Sequence, residues 1–305
     1  DPVSNYPSRM PKSAVPMSSR LADGCTHVFL DVGANRGVHV RFLTEPHLFP
    51  SSSYLSRGFF ARYFGSNFST DPAVCAFGFE PNAAHAPRLQ RLAQLYRSRG
   101  RRVEFFSLAA EASAGVVTMY NHRDDASASD WRFGTKRPSH RPVNVSAIDL
   151  GRFVRHELAG RALPPARGVP SQPPSIVMKL DVEGDELSIF ESMIESRAIC
   201  ELDLVTWEIH AAQLAAREMR YERHAALWDW IFEHQRPEDE DDIQAPRLAQ
   251  LRVEWERRRA RGATRQFSSC RTRLVATDDE SYLMVPDVPL RPWERSESRL
   301  RHSKR

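Results

Sequence analysis

The sequence predicts an α/β protein, with a mostly parallel sheet, helices on both faces and an antiparallel hairpin at the C-terminal end. Three observations carry this. Apolar runs of strand length alternate with segments of helical period. The first of these runs passes through the glycine-spaced turn "DVGANRG" into a helix, and two late extended runs flank a short polar turn.

Taken in order, residues 1–22 begin "DPVSNYPSRMPKSAVPMSSR", rich in Pro and Ser without apolar period, and read as a disordered lead-in. Residues 27–31 form a short buried strand, and 37–43 start a helix. The aromatic-rich stretch "EPHLFPSSSYLSRGFFARYFGSNFSTDP" reads as an insertion, whose Phe59, Phe60, Tyr63 and Phe64 pack as buried core or over a cleft. "VCAFGFE" is a second buried strand, followed by a helix with Leu89, Leu92 and Leu95 on one face. "RVEFFSLAA" is a third strand and "GVVTMY" a fourth extended piece. Residues 121–141 are polar and read as a loop. Ser146 is suited to cap a helix carrying Ile148, Phe153, Val154 and Leu158. "IVMKLD" is another buried strand, "ELSIFESMI" a helix and "LDLVTWEIH" a further strand. Residues 211–261 are helical in pattern, interrupted by the acidic "PEDEDD". "RTRLVAT" and "SYLMV" then flank "DDE" as a hairpin. One domain over 23–289 is expected, with insertions near 45–73 and 211–268, because no interior linker is long and polar enough to separate two cores. Residues 290–305 form a basic tail, read as a solvated end.

At 305 residues the chain has a modest net charge of +4, and its apolar runs are all too short to cross a bilayer. Its basic residues are scattered and not interleaved with aromatics, so no nucleic-acid partner is expected. The four cysteines lie far apart with no C-x-x-C pair, which argues against a zinc site and a disulfide scaffold. One or two disulfides in an oxidising compartment stay open. Asn67-Phe-Ser and Asn144-Val-Ser match the glycosylation acceptor pattern, about as often as chance supplies. The chain opens on Asp1 and not Met, so an upstream segment is expected, and cytoplasm and secretory pathway are both open.

The turn after the first strand is where an open α/β sheet binds its ligand. Gly33 and Gly37 permit left-handed backbone or close approach there. A dinucleotide site wants G-x-G-x-x-G. Here Asp31 precedes a G-x-N-x-G, and a carboxylate at the mouth serves a pyrophosphate poorly. A cationic ligand such as S-adenosylmethionine, with its ammonium and sulfonium, tolerates it. Glu80, ending the second strand in "FGFEPN", is placed to accept both hydroxyls of a ribose.

"FLDVGANRG", "FGFEPN", "MKLDVEGDE" and "WEIH", in this order, resemble the FkbM-type methyltransferases over residues 25–286. The aromatic insertion, "VCAFGFEPN" and the late "DDESYL" are similar to a eukaryotic branch of that family. The resemblance implies a Rossmann-like seven-stranded sheet, with a reversed last strand that the hairpin would supply. It implies S-adenosylmethionine as methyl donor and O-methylation. Asp31, Gly33, Asn35 and Gly37 would then form the donor loop. Glu80 would take the ribose, and Leu108 and Ala109 would border the adenine. The long insertion and residues 121–141 depart from the family pattern. By family analogy the acceptor is a hydroxyl on a sugar, a glycan or a small metabolite.

An alcohol is mostly un-ionised at neutral pH, so O-methylation calls for a base or a metal. His210 or Asp181 is the candidate base, Glu208 the group orienting it, and Lys179 a partner for a carboxylate or a developing alkoxide. Asp181, Glu183 and Glu208 could instead gather Mg²⁺, the less favoured reading. Two rivals remain: a nicotinamide-dependent oxidoreductase, and a protein that binds S-adenosylmethionine without catalysis.

Overall fold

Strands buried on both faces must be apolar along their whole length, and this requirement shapes the centre of the molecule. In a computed structural model the described residues are 20–121, 133–134, 142–165, 172–208, 225–235, 245–260 and 270–277. Among them, β1 (His27–Val32), β2 (Val74–Phe79), β3 (Val103–Phe106), β8 (Ser175–Leu180), β9 (Leu204–Trp207) and β10 (Arg273–Ala276) form one six-stranded sheet. Its order is β3-β2-β1-β8-β9-β10, and every pairing is parallel. All residues of β1, β2 and β8 are buried.

Alternation along β1 feeds two cores. Val28, Leu30 and Val32 join Ile176, Met178 and Phe190 on one face, where α6 (Glu186–Glu195) and α7 (Ala225–His234, with Trp228 and Trp230) cover the sheet. Phe29 faces the other way, with Val177. There it meets α1 (Val38–Thr44), α3 (Phe59–Phe64) and α4 (Ala86–Ser98), which supply Phe42, Phe60, Leu89, Leu92 and Tyr96. The aromatic insertion, which also holds α2 (Ser53–Ser56), is therefore core: the Phe29 and Phe60 rings meet edge-on at 5.1 Å. A further helix, α8 (Ala245–Ala260), places Trp255 5.5 Å from Phe232 of α7.

Several expectations are corrected. "RVEFFSLAA" is not one strand. It breaks after Phe106, and β4 (Ala109–Glu111) leaves for a second sheet with β5 (Gly115–Asn121), β6 (Phe133–Gly134) and β7 (Pro142–Asp149). The order is β4-β7-β5-β6, parallel between β4 and β7 and otherwise antiparallel. Ser146 caps no helix but lies within β7. The N-cap is Asp149, whose Oδ1 accepts from the Arg152 amide at 2.7 Å ahead of α5 (Leu150–Phe153). The alternation Val143, Val145, Ala147 was the strand signal. Among the described residues the main sheet has six strands rather than the expected seven, and β10, the last of them in the chain, runs parallel to β9. The second arm of the expected hairpin, the "PEDEDD" run and the basic tail lie outside the described residues. The lead-in is in place from Arg20: Ala22 is buried, and the Leu21 amide donates to Glu157 Oε2 at 2.7 Å. No described helix is long and apolar enough to cross a membrane.

The four cysteines form two bridges, Cys25–Cys75 and Cys200–Cys270, with Cα separations of 5.8 and 5.0 Å. Both sit where strands begin, at the amino edge of the sheet. Replacing Cys25 and Cys75 together by Ala should cost about 2–4 kcal/mol, because the bridge closes a long loop in the unfolded chain. Chemical denaturation of the oxidised protein and the variant measures this.

Candidate functional site

Strand order reverses between β1 and β8, so the segments leaving their carboxyl ends diverge and open a crevice. The turn after β1 is held in left-handed backbone at Gly33 (φ 80°), Asn35 (φ 48°) and Gly37 (φ 74°). At Gly33 the requirement is absolute: a Cβ there would stand 1.7 Å from the Asp181 carbonyl oxygen. The glycine thus serves the contact between β1 and β8 more than an approach to ligand. Gly37 packs on α4, where a Cβ would meet Leu89 at 3.0 Å.

Beneath the turn lies an ionic cluster. Asp31 and Lys179 are register partners on β1 and β8, and Asp31 is fully buried. Lys179 Nζ donates to the Gly33 carbonyl at 2.7 Å and to Asp181 Oδ2 at 2.9 Å. Neither Asp31 oxygen has a hydrogen-bond partner among the described residues. Burial pushes the Asp31 carboxyl up to about 7; the Lys179 charge opposes this and Asp181 adds to it. Burial pulls Lys179 down, but Asp181 and Asp31 outweigh it and leave the ammonium above its ordinary value. Nearby His39 is held well below its ordinary value by burial and then by the Lys179 charge, so its ring is neutral.

Glu80 leaves β2 into the same crevice. Its Oε2 accepts from the Asn35 amide and its Oε1 from the Asn82 amide, both at 2.7 Å. Burial raises its pKa to about 7 against these two amides. The carboxylate is oriented from both sides, and each oxygen keeps a second lone pair. The crevice is lined by Gly33, Asn35 and Glu80, by Asp181 and Glu183 from the turn after β8, and by Ala109 and Met119 from the second sheet. Glu111, His85 and Asn82 complete the polar wall. Glu183 (φ 58°) makes the sharp exit from β8, and Glu186 anchors it, accepting from the Val182 amide at 2.9 Å and the Gly184 amide at 3.3 Å.

The structure therefore brings Gly33, Asn35, Glu80, Ala109 and Asp181 to one crevice, with Asp31 and Lys179 directly below. Gly37 and Leu108 do not line it; Leu108 packs behind the wall against the main core. Glu208 follows the last residue of β9 rather than lying within a strand, and its amide donates to the Leu180 carbonyl at 3.2 Å. Its charge acts on Lys179. His210 lies outside the described residues. No group of three or more potential metal-ligating His, Cys, Asp or Glu side chains occurs among the described residues. Sequence reasoning missed Asn82, His85, Glu111 and Met119. The alternation in "GVVTMY" could have placed Met119 on the inner face, whereas Glu111 and His85 carry no local signal.

No protein-family model matches the chain, and no curated protein matches it. Among solved structures, the crystal structure of a methyltransferase FkbM from Methylobacillus flagellatus aligns with it at 15% identity and a TM-score of 0.29. The alignment covers 59% of this chain and 31% of that one, and a likeness this low carries no argument about function.

Two outcomes are expected. Gly33→Ala should destabilise the protein by more than about 3 kcal/mol, combining left-handed strain with the clash on Asp181. Gly58→Ala, also at positive φ but with nothing within 4 Å, should cost only about 1–2 kcal/mol in the same denaturation assay. The second outcome concerns pH. With its pKa raised from 4.5 to about 7, folded Glu80 holds a proton that the unfolded chain has lost. Its contribution is full below the unfolded value and is lost as pH rises through the folded one. Glu80→Gln should therefore be most destabilising near pH 5 and gain on the wild type by roughly 1–3 kcal/mol by pH 8. Melts across that range measure the difference.

Proposed function

We propose that the chain is an S-adenosylmethionine-dependent methyltransferase acting on a hydroxyl. One observation carries the reading. Glu80, Glu111, Asp181 and Glu183 line the crevice at the strand-order switch, and no lysine or arginine does among the described residues. Such a lining disfavours a pyrophosphate and suits a ligand that is cationic at one end and carries a ribose. The residues fit that donor. Glu80 has lone pairs left for two ribose hydroxyls, and their donation would favour its ionised form. Ala109 and Met119 offer an apolar wall to an adenine. Asp31 and Asp181 place negative charge, partly balanced by Lys179, near the turn that would hold the methionine end.

The donor supplies an electrophilic methyl group when bound. The chain's part is alignment of the acceptor oxygen, exclusion of water and removal of the hydroxyl proton. Asp181 and His210 remain the proposed bases, with Glu208 close enough in charge to influence the Lys179–Asp181 pair. Lys179 is engaged by Gly33 and Asp181, which supports an orienting role over direct contact with an alkoxide. A sugar, glycan or small-metabolite hydroxyl is the proposed acceptor class, and Mg²⁺ stays the less favoured route to its ionisation.

A second reading has its own support. Six parallel strands in the order β3-β2-β1-β8-β9-β10 are the arrangement used for dinucleotides, so a nicotinamide cofactor is the competing ligand. Calorimetric titration with S-adenosylmethionine, S-adenosylhomocysteine and NADH separates the two. Binding of the first two alone is expected, and Glu80→Ala should weaken it at least about tenfold while the fold persists. NADH binding without response to the methyl donor would overturn the proposal.

A further inference from the structure

We infer that Asn67 and Asn144 carry N-linked glycans and that the protein matures in an oxidising compartment. The inference is independent of the methyl-donor reading. Alone, the two sequons mean little; the structure adds three facts. All four cysteines are paired, in bridges whose Cα separations fall in the ordinary disulfide range. Paired structural cysteines persist where thiols are oxidised and are rare in a reducing cytosol.

Both acceptor asparagines are exposed. Asn67 lies in the turn between α3 and β2, at the amino edge of the main sheet and away from the crevice at its carboxyl edge. Asn144 lies in β7 opposite Thr118 of β5, whose Oγ1 donates to Asn144 Oδ1 at 2.9 Å. Met119, the next residue of β5, points to the opposite face and lines the crevice. A glycan on Asn144 therefore projects from the outer face of the second sheet and leaves the crevice open. Val116, on that same outer face, is 72% exposed, and the first sugar can cover it. Both acceptor positions are thus accessible to a transferase and clear of the crevice.

The chemistry needs two co-reactants of that compartment. In glycosylation the side-chain amide nitrogen attacks the anomeric carbon of a lipid-linked pyrophosphoryl oligosaccharide. The lipid pyrophosphate leaves with the bonding electron pair, and the nitrogen gives up one proton. Each cystine forms by exchange with a disulfide-bearing oxidoreductase, which takes up the two electrons and two protons of the thiols.

The test is peptide mapping of the full chain purified from its native cells. The protein is treated with peptide N-glycosidase in heavy-oxygen water and digested without reduction. Labelled Asp in place of Asn67 and Asn144, with Cys25–Cys75 and Cys200–Cys270 peptides still crosslinked, is expected. Unlabelled asparagine at either position, or free thiols at the four cysteines, would overturn the inference.

Discussion

The buried ammonium of Lys179 holds the two halves of the sheet together where they diverge. It spans from β8 to the Gly33 carbonyl beyond β1 and to Asp181 beyond its own strand, with Asp31 beside it. A buried lysine without such partners would lose its proton or unfold its surroundings. Placed among two carboxylates and a carbonyl, it keeps its charge and fixes the turns after β1 and β8 relative to one another. Gly33 is part of the same constraint. Only a residue without Cβ lets the β1 turn come close enough to Asp181 for Lys179 to reach both.

The crevice inherits its geometry from that cluster. Because the β1 turn is held down, the Asn35 amide is presented to Glu80, and Glu80 is clamped between Asn35 and Asn82. A carboxylate held from both sides has little rotamer freedom left to lose. The second sheet adds the remaining wall. It exists because the chain breaks after β3 and sends β4 outward to pair with β7.

Much of this was legible in the residues, and particular elements show why. "FLDVGANRG", "FGFEPN" and "MKLDVEGDE" each join a fully buried strand to a turn, and buried parallel strands announce themselves as unbroken apolar runs. The break in "RVEFFSLAA" was hidden for the same reason: an apolar run does not say where one sheet ends and another begins. Ser146 misled because a serine before an apolar stretch fits a helix cap as well as the outer face of a strand. Its pairing with Val116 decides between them. The roles of Glu111 and His85 have no local signature, since they face the crevice through sheet pairing and the position of α4.

By itself the sequence determined the α/β class, the central strands, the glycine turn and the acids at the strand ends, because hydrophobic period and backbone permissiveness are local properties. Tertiary structure alone decided the six-strand order, the separate second sheet, the pairing of the four cysteines and the partition of charged residues between buried cluster and crevice wall. Those depend on which strands become neighbours. The burial of a carboxylate or an ammonium is a property of its surroundings, not of its place in the chain.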